Sequence, residues 1–477
     1  MINSKPRVCI IGAGPGGFSS ANIFLANGFE VEIFEEGIDT QGKKFSSLIS
    51  SFQNVWKKGG ASMCLGKDKI AFSEGFGVGG GSLVNSSISQ RIRREKFDEW
   101  QRSFLKDTTF EKFNKNYDQI EKKFNASYEP VSPISCLFEE SFSDENLKRI
   151  KLKRYMQERS NKEFSYLENV YSLEQAGKNN VANVYKKSFL EKGGVIHSES
   201  KVTKLLYNKT KKRITGIQIN CNSIRSDFDY YVLCAGPTGS PDLLHKSKIL
   251  NAGKLPFTLH PTLRFMLEFD EEINADDYEL PLYAFEGDGF RIGGSVFNLE
   301  VLGSFVSEDF ENRKHLFRKK NRLMLLYVMV FSKKSKGSLR KKFFSKSLMP
   351  HYELSKQEYK NLKKGISVFM QKAINSKKIK SVLPSVDSIR EISSHKGIES
   401  FFNQEGLREK MNLMSIHCMS SLPAGGSEVD EAGKYRSTDN LYVFDASILP
   451  SCTETNPQGT IMNISEILTN KLIDSLK

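Results

Sequence analysis

The 477-residue chain lacks a cysteine framework, a membrane-length apolar run and any internal repeat. Its seven cysteines (Cys9, Cys64, Cys136, Cys221, Cys234, Cys418 and Cys452) form no C-x-x-C pair and leave one over. That spacing argues against a disulfide framework or a zinc site, and reduced thiols fit the cytosol. The longest apolar run, "RLMLLYVMVFS" (322–332), falls far short of the ~20 residues a membrane span requires. No secretory pattern is visible, because the early apolar run "VCIIGAGPGG" turns directly into a glycine loop and reads as a strand. An intracellular, cytoplasmic protein is therefore expected.

Acidic residues are in deficit, with 56 Asp plus Glu against 70 Lys plus Arg, a formal charge of +14. Much of the excess lies in 312–380, in "NRKHLFRKKNR", "SKKSKGSLRKKFFSK" and "NSKKIKS". A solvated basic face is the plain reading; the stretch also fits an anionic substrate or peripheral contact with an acidic membrane surface. No recognition motif accompanies the charge, so nucleic acid is not an expected partner. Apolar residues at 39% and charged residues at 26% are ordinary for a globular protein, and the length implies two domains or three.

Glycine is what the sequence has in the right places. Residues 7–36 read as strand, glycine turn, helix and strand, with Gly12, Gly14 and Gly17 in the pattern G-x-G-x-x-G. The first glycine allows a tight turn, the second lets the backbone approach a pyrophosphate, and the third lets helix and strand pack closely. Glu35 ends the second strand, where a carboxylate would accept hydrogen bonds from ribose hydroxyls. With strand, helix and acid in register, the segment predicts a dinucleotide site but does not separate FAD from NAD.

A second cluster, "SEGFGVGGGSLVNSS" (73–87), repeats the pattern at Gly75, Gly77 and Gly80. Its context differs, since "GKDKIAFSE" upstream is a poor buried strand and "SLVNSSISQRI" downstream lacks helical apolar spacing. The cluster is better read as backbone that must run against a flat or charged ligand. Further on, "LRFMLEF", "FRIGGSVFNLEVLGSF" and "RLMLLYVMVF" read as strands and "SKQEYKNLKKGISVFMQKAI" as a helix. This predicts an antiparallel sheet carrying helices, inserted into the first domain.

These segments carry a resemblance. "GVGGGSLVN" (77–85) followed by "FDEW" (97–100) resembles a signature of the glucose–methanol–choline (GMC) flavin oxidoreductases, with wording especially similar to cholesterol oxidases. "VLCAGPTGSPDLLHKSKI" (232–249), "DNLYVFDASILPS" (439–451) and "TNPQGTIMNISE" (455–466) resemble three further segments of that family, in the same order. The resemblance implies an α/β fold: a discontinuous Rossmann-type FAD-binding domain over 1–255 and 408–477, with an inserted antiparallel-sheet α+β substrate domain over 256–407.

By that resemblance, Gly80, Gly81, Ser82 and Asn85 line the flavin and its pyrophosphate. Val202 meets the adenine by its backbone, and Asp445 holds the ribitol or pyrophosphate region near the ring. Ala235, Gly236, Ala446, Pro457 and Thr460 lie in the matching cofactor segments. Members with covalent flavin tend to carry a histidine where Val84 stands, so FAD is expected to be non-covalent.

The resemblance also places the chemistry. His417 precedes the glycine turn leading to the "DAS" strand, where the family keeps its catalytic base, and Asn456 takes the second active-site position. A base must reach the alcohol oxygen while the carbon faces flavin N5. His260, in "LHPTLRF", is the competing histidine, with a structural role as its alternative. One departure is "HCMSSLPAGG" (417–426), where Ser420 and Ala424 replace a usual glycine and methionine. The expected reaction is oxidation of a CH–OH group on an alcohol, sugar or lipid, passing electrons to oxygen, a quinone or a redox protein. A lyase or decarboxylase on the same scaffold, or a non-catalytic FAD-stabilised binding protein, are the alternatives.

Overall fold

The computed structural model describes residues 5–477 apart from 42, 44–47, 61, 158–176, 274–279, 296, 298, 332–336 and 342–346. Most of the basic run "SKKSKGSLRKKFFSK" thus lies outside the described residues. Among the described residues no helix is long and apolar enough to cross a membrane.

Five short parallel strands form the first sheet, in the order Leu441–Val443, Tyr230–Leu233, Arg7–Ile11, Glu30–Phe34, Val195–His197. The inner strands are almost wholly buried, as apolar runs such as "VCII" require when both faces of a sheet are covered. The helix Pro15–Ala26 starts at the glycine turn and packs against the helices Val181–Glu191 and Gln458–Leu476. Glycine is obligatory here: a Cβ on Gly17 would sit 2.0 Å from the Gly12 carbonyl oxygen, and one on Gly16 2.0 Å from that of Phe444.

The second sheet is larger and mixed. Its path runs Ser62–Met63, Lys69–Phe72, Asn412–Ser415, Thr262–Phe269, Leu323–Val330, Phe290–Gly294, Tyr283–Gly287, Lys148–Lys151, with Ile379–Pro384 also paired to Thr262–Phe269. It therefore takes strands from both sides of the 256–407 segment. The helix Lys356–Asn375 opens on a Ser355/Glu358 capping box and lays Leu362, Ile366, Phe369, Met370 and Ala373 on the sheet.

One expectation needs correction. "FRIGGSVFNLEVLGSF" is a strand only over Phe290–Gly294; Leu299–Ser307 is helical. Leu302, Phe305 and Val306 are buried at spacings of three and four, so the helical period, not the alternating one, fits the core.

Candidate active site

The two glycine clusters meet. Gly79 N–H donates to the Ala13 carbonyl at 2.9 Å, and a Cβ on Gly80 would lie 2.7 Å from the Gly14 Cα. Glu35 staples them: Oε2 accepts Ala13 N–H at 2.9 Å, and Oε1 accepts Gly37 N–H at 2.9 Å and Gly77 N–H at 3.2 Å. Burial pushes its carboxyl up, while the amide bonds pull it back.

A cavity of about 910 Å³ opens beside this cradle and runs between the two sheets. Gly12, Gly14, Glu35, Gly80, Gly81, Asn85, Val202, Ala235, Gly236, Asp445, Ala446, Asn456, Pro457 and His417 all line it. Gly17, Ser82 and Thr460 do not line it and stand behind the wall. Gly17 fits helix to strand. Ser82 Oγ donates to the Gly79 carbonyl at 2.6 Å and accepts Val181 N–H at 3.1 Å. Thr460 is fully buried within the closing helix.

Asp445 is buried and arranges backbone. Its Oδ2 accepts Gly236 N–H at 2.9 Å and Ser240 O–H at 2.6 Å, and its Oδ1 accepts Ser447 N–H at 2.7 Å. Asn85 Nδ2 donates to Gln458 Oε1, leaving the buried Nε2 of Gln458 without a partner among the described residues. The 910 Å³ space, the bare glycine walls, the orphaned amide and the helix N-terminus at Gly14 fit a dinucleotide with its pyrophosphate over that terminus.

His417 and Asn456 are brought together at the far end of the cradle. His417 Nε2 lies 3.3 Å from Asn456 Nδ2. Burial, aided by the Arg291 charge, lowers the imidazole from its usual value to about 3, so the ring is neutral. His260 is not remote from the site. Its Nδ1 lies 2.8 Å from Nδ1 of His417, because Leu259 pairs with Cys418 between two antiparallel segments.

Among known sequences, the family model for GMC oxidoreductases matches residues 52–262 with its N-terminal part and residues 336–465 with its C-terminal part. The chain belongs to the GMC oxidoreductase family. It is an oxidoreductase that binds FAD, acts on a small molecule and passes electrons to an acceptor. An uncharacterized GMC-type oxidoreductase of Sinorhizobium fredii is 28% identical over 475 residues, covering 96% of this chain and 92% of the relative. A long-chain-alcohol oxidase of Arabidopsis thaliana is 23% identical over 523 residues, covering 98% of this chain and 67% of the relative. In fold, the GMC oxidoreductase resembles pyridoxine 4-oxidase from Mesorbium loti, with TM-score 0.72, 12% identity and coverage of 98% and 99%. Formate oxidase of Aspergillus oryzae is similar at TM-score 0.71, 12% identity and 99% coverage of both chains.

Some site residues have no sequence signal. Lys178, in the plain run "GKNN", is buried and donates to the Leu83 and Asn85 carbonyls at 2.7 and 2.9 Å, bracing the second glycine cluster. The "FDEW" segment also gains a physical meaning. Trp100 Nε1 donates to Ser451 Oγ at 2.9 Å, Ser451 donates to Glu99 at 2.9 Å, and Lys96 pairs with Glu454 at 3.1 Å. That helix clamps the turn leading into Asn456.

Proposed function

We propose that this GMC oxidoreductase oxidises the CH–OH group of an alcohol with an apolar body. The observation that carries the proposal is the neutral His417 imidazole 3.3 Å from the Asn456 amide, at the end of a glycine-walled cradle. Gly12, Gly14, Gly80, Gly81 and Asn85 would hold FAD non-covalently, since Val84 offers no ring nitrogen for attachment. Bound FAD supplies a hydride acceptor.

The rest is the work of side chains. Asn456 would orient the substrate oxygen and stabilise charge developing on it, while His417 Nε2 takes the hydroxyl proton. Proton removal by a buried, neutral base needs no prior deprotonation at working pH.

The cavity wall supports an apolar substrate over a sugar. Part of it is lined by Met63, Leu65, Met329, Met349, Met414 and Ile416, a flexible and polarisable surface. Several of the charged lining residues are engaged in pairs of their own. Glu36 pairs with Lys57 at 3.6 Å and Lys201 at 2.5 Å, and Thr238 donates to Glu74 at 2.6 Å.

Anaerobic mixing of the FAD-loaded enzyme with straight-chain primary alcohols, sterols and hexoses tests this. Loss of the oxidised-flavin absorbance with the apolar alcohols and not with hexoses is expected. Bleaching by hexoses alone would overturn the substrate class, and product formed without bleaching would favour lyase chemistry.

A further inference from the structure

Behind the His417–Asn456 pair runs a second row of contacts. His417 Nδ1 lies 2.8 Å from His260 Nδ1, and His260 Nε2 lies 2.8 Å from Cys452 Sγ. The rings stand nearly perpendicular at 88°, and His260 and Cys452 are each only 1% exposed. Three restraints hold the row in place. Ser415 Oγ accepts the main-chain N–H of both His260 and His417 at 3.2 Å. Phe331 sits edge-on to His260 and packs with Met329 against Cys452. The clamp from Lys96, Glu99 and Trp100 fixes residues 451 and 454 on either side of the thiol.

Each neutral imidazole carries one N–H, so the row admits two proton arrangements. A His417 that accepts a proton on Nε2 must hold its own on Nδ1, and donates it to His260 Nδ1. His260 then holds its proton on Nε2 and donates to Cys452 Sγ. In the opposite arrangement the thiol donates, and His417 ends with Nε2–H, unable to take a substrate proton. One feature favours the first: Asn456 presents its amide nitrogen, a donor, to His417 Nε2.

We propose that Cys452 and His260 form a positioning relay that holds His417 in its base-competent tautomer and shares the proton His417 takes up. The proposal rests on His417 being the base. When a hydroxyl proton reaches His417 Nε2, the Nδ1 proton can shift onto His260 Nδ1. One proton enters the pair and none leaves, so the positive charge spreads over two rings while Cys452 remains a thiol. Burial pushes that thiol up to about 12. Arg291 and Lys96 oppose charge on His260, and the carboxylates nearby already have cations: Glu286 holds Arg291, and Glu454 and Glu99 hold Lys96. Both rings therefore rest neutral. Among the described residues no cluster is arranged to hold a metal, and the row is linear, with His260 bridging.

The test uses FAD-loaded enzyme labelled with 15N-histidine, because NMR reads which ring nitrogen carries the proton without any substrate. His417 should show Nδ1–H with a bare Nε2 in the parent and in Cys452→Ser, which keeps an acceptor. Cys452→Ala should mix the tautomers and give His417 an Nε2–H fraction. Anaerobic reduction by 1-decanol should slow roughly 10- to 100-fold in Cys452→Ala and His260→Gln, the range that outer partners of functional histidines carry at metal sites. Its half-saturating concentration should stay unchanged, and Cys452→Ser should recover the rate. Parent-like His417 signals in Cys452→Ala would overturn the relay, as would parent-like rates in both variants. If His260→Gln yields no FAD-loaded protein, Cys452→Ala, which deletes one atom, decides alone. If 1-decanol fails to reduce the parent, the alcohol reading falls while the NMR result still judges the relay.

Discussion

Ser420 occupies a backbone position that favours glycine. Its φ is +65°, it is buried, and its hydroxyl has no hydrogen-bond partner among the described residues. A left-handed conformation costs a residue with a side chain about 1–2 kcal/mol, and an unsatisfied buried hydroxyl adds to that. Ser420→Gly is expected to stabilise the fold by about 1 kcal/mol after the extra chain entropy of glycine, read as a rise in thermal midpoint. His417 gives the second prediction at this scale. Because its pKa is lowered to about 3, its neutral form dominates far below the usual value. Flavin reduction should therefore be flat between about pH 5 and 8, with no inflection near 6.5. A rate falling through pH 6.5 would show that the base titrates normally. Single residues also mark where sequence runs out. His417 and Asn456 are legible because fixed motifs flank them. Cys452 and Lys178 are not, because their roles come from strand pairing and burial that no local pattern records.

The cradle is the element whose sequence reads best. Its two glycine segments lie about 60 positions apart, yet each carries its own constraint. Gly80 touches Gly14, whereas a Cβ on Gly81 would meet no atom of the described residues within 4 Å. The two alanine variants should therefore separate. Gly81→Ala should leave the apoprotein's thermal midpoint unchanged and weaken FAD binding, because the methyl group enters only the ligand space. Gly80→Ala should lower both, since its φ of +53° and the 2.7 Å approach to Gly14 belong to the protein itself. Calorimetry on apoprotein and FAD titration distinguish them, and equal behaviour would place Gly81 against protein. The weakest element is the stretch read as one long strand over 290–305. A short apolar run there suits either period, and only the covering helix contact at Leu302, Phe305 and Val306 resolves it.

At the scale of the whole molecule, two buried neutral histidines carry a cost in acid. Burial lowers both His260 and His417, while the unfolded chain protonates them near 6.5. Below that pH the unfolded state binds protons the fold refuses, so stability falls as pH drops, by about 1.4 kcal/mol per pH unit for each ring. His260→Gln should shallow this slope between about pH 4 and 6 in denaturant titrations; a slope equal to the parent's would contradict neutral burial. The alternation of glycine turns with βαβ spacing made the FAD-binding half readable. The second sheet was less so, because its register depends on partners far apart in the chain. Lys69–Phe72 runs parallel to Asn412–Ser415, and Arg408 closes on Asp68 across 340 positions at 2.6 Å. Lys69–Phe72 therefore has no partner on that side until residues 412–415 have been synthesised. Until then the nascent protein keeps an open sheet edge beside the candidate site, where mispairing should be a hazard of synthesis.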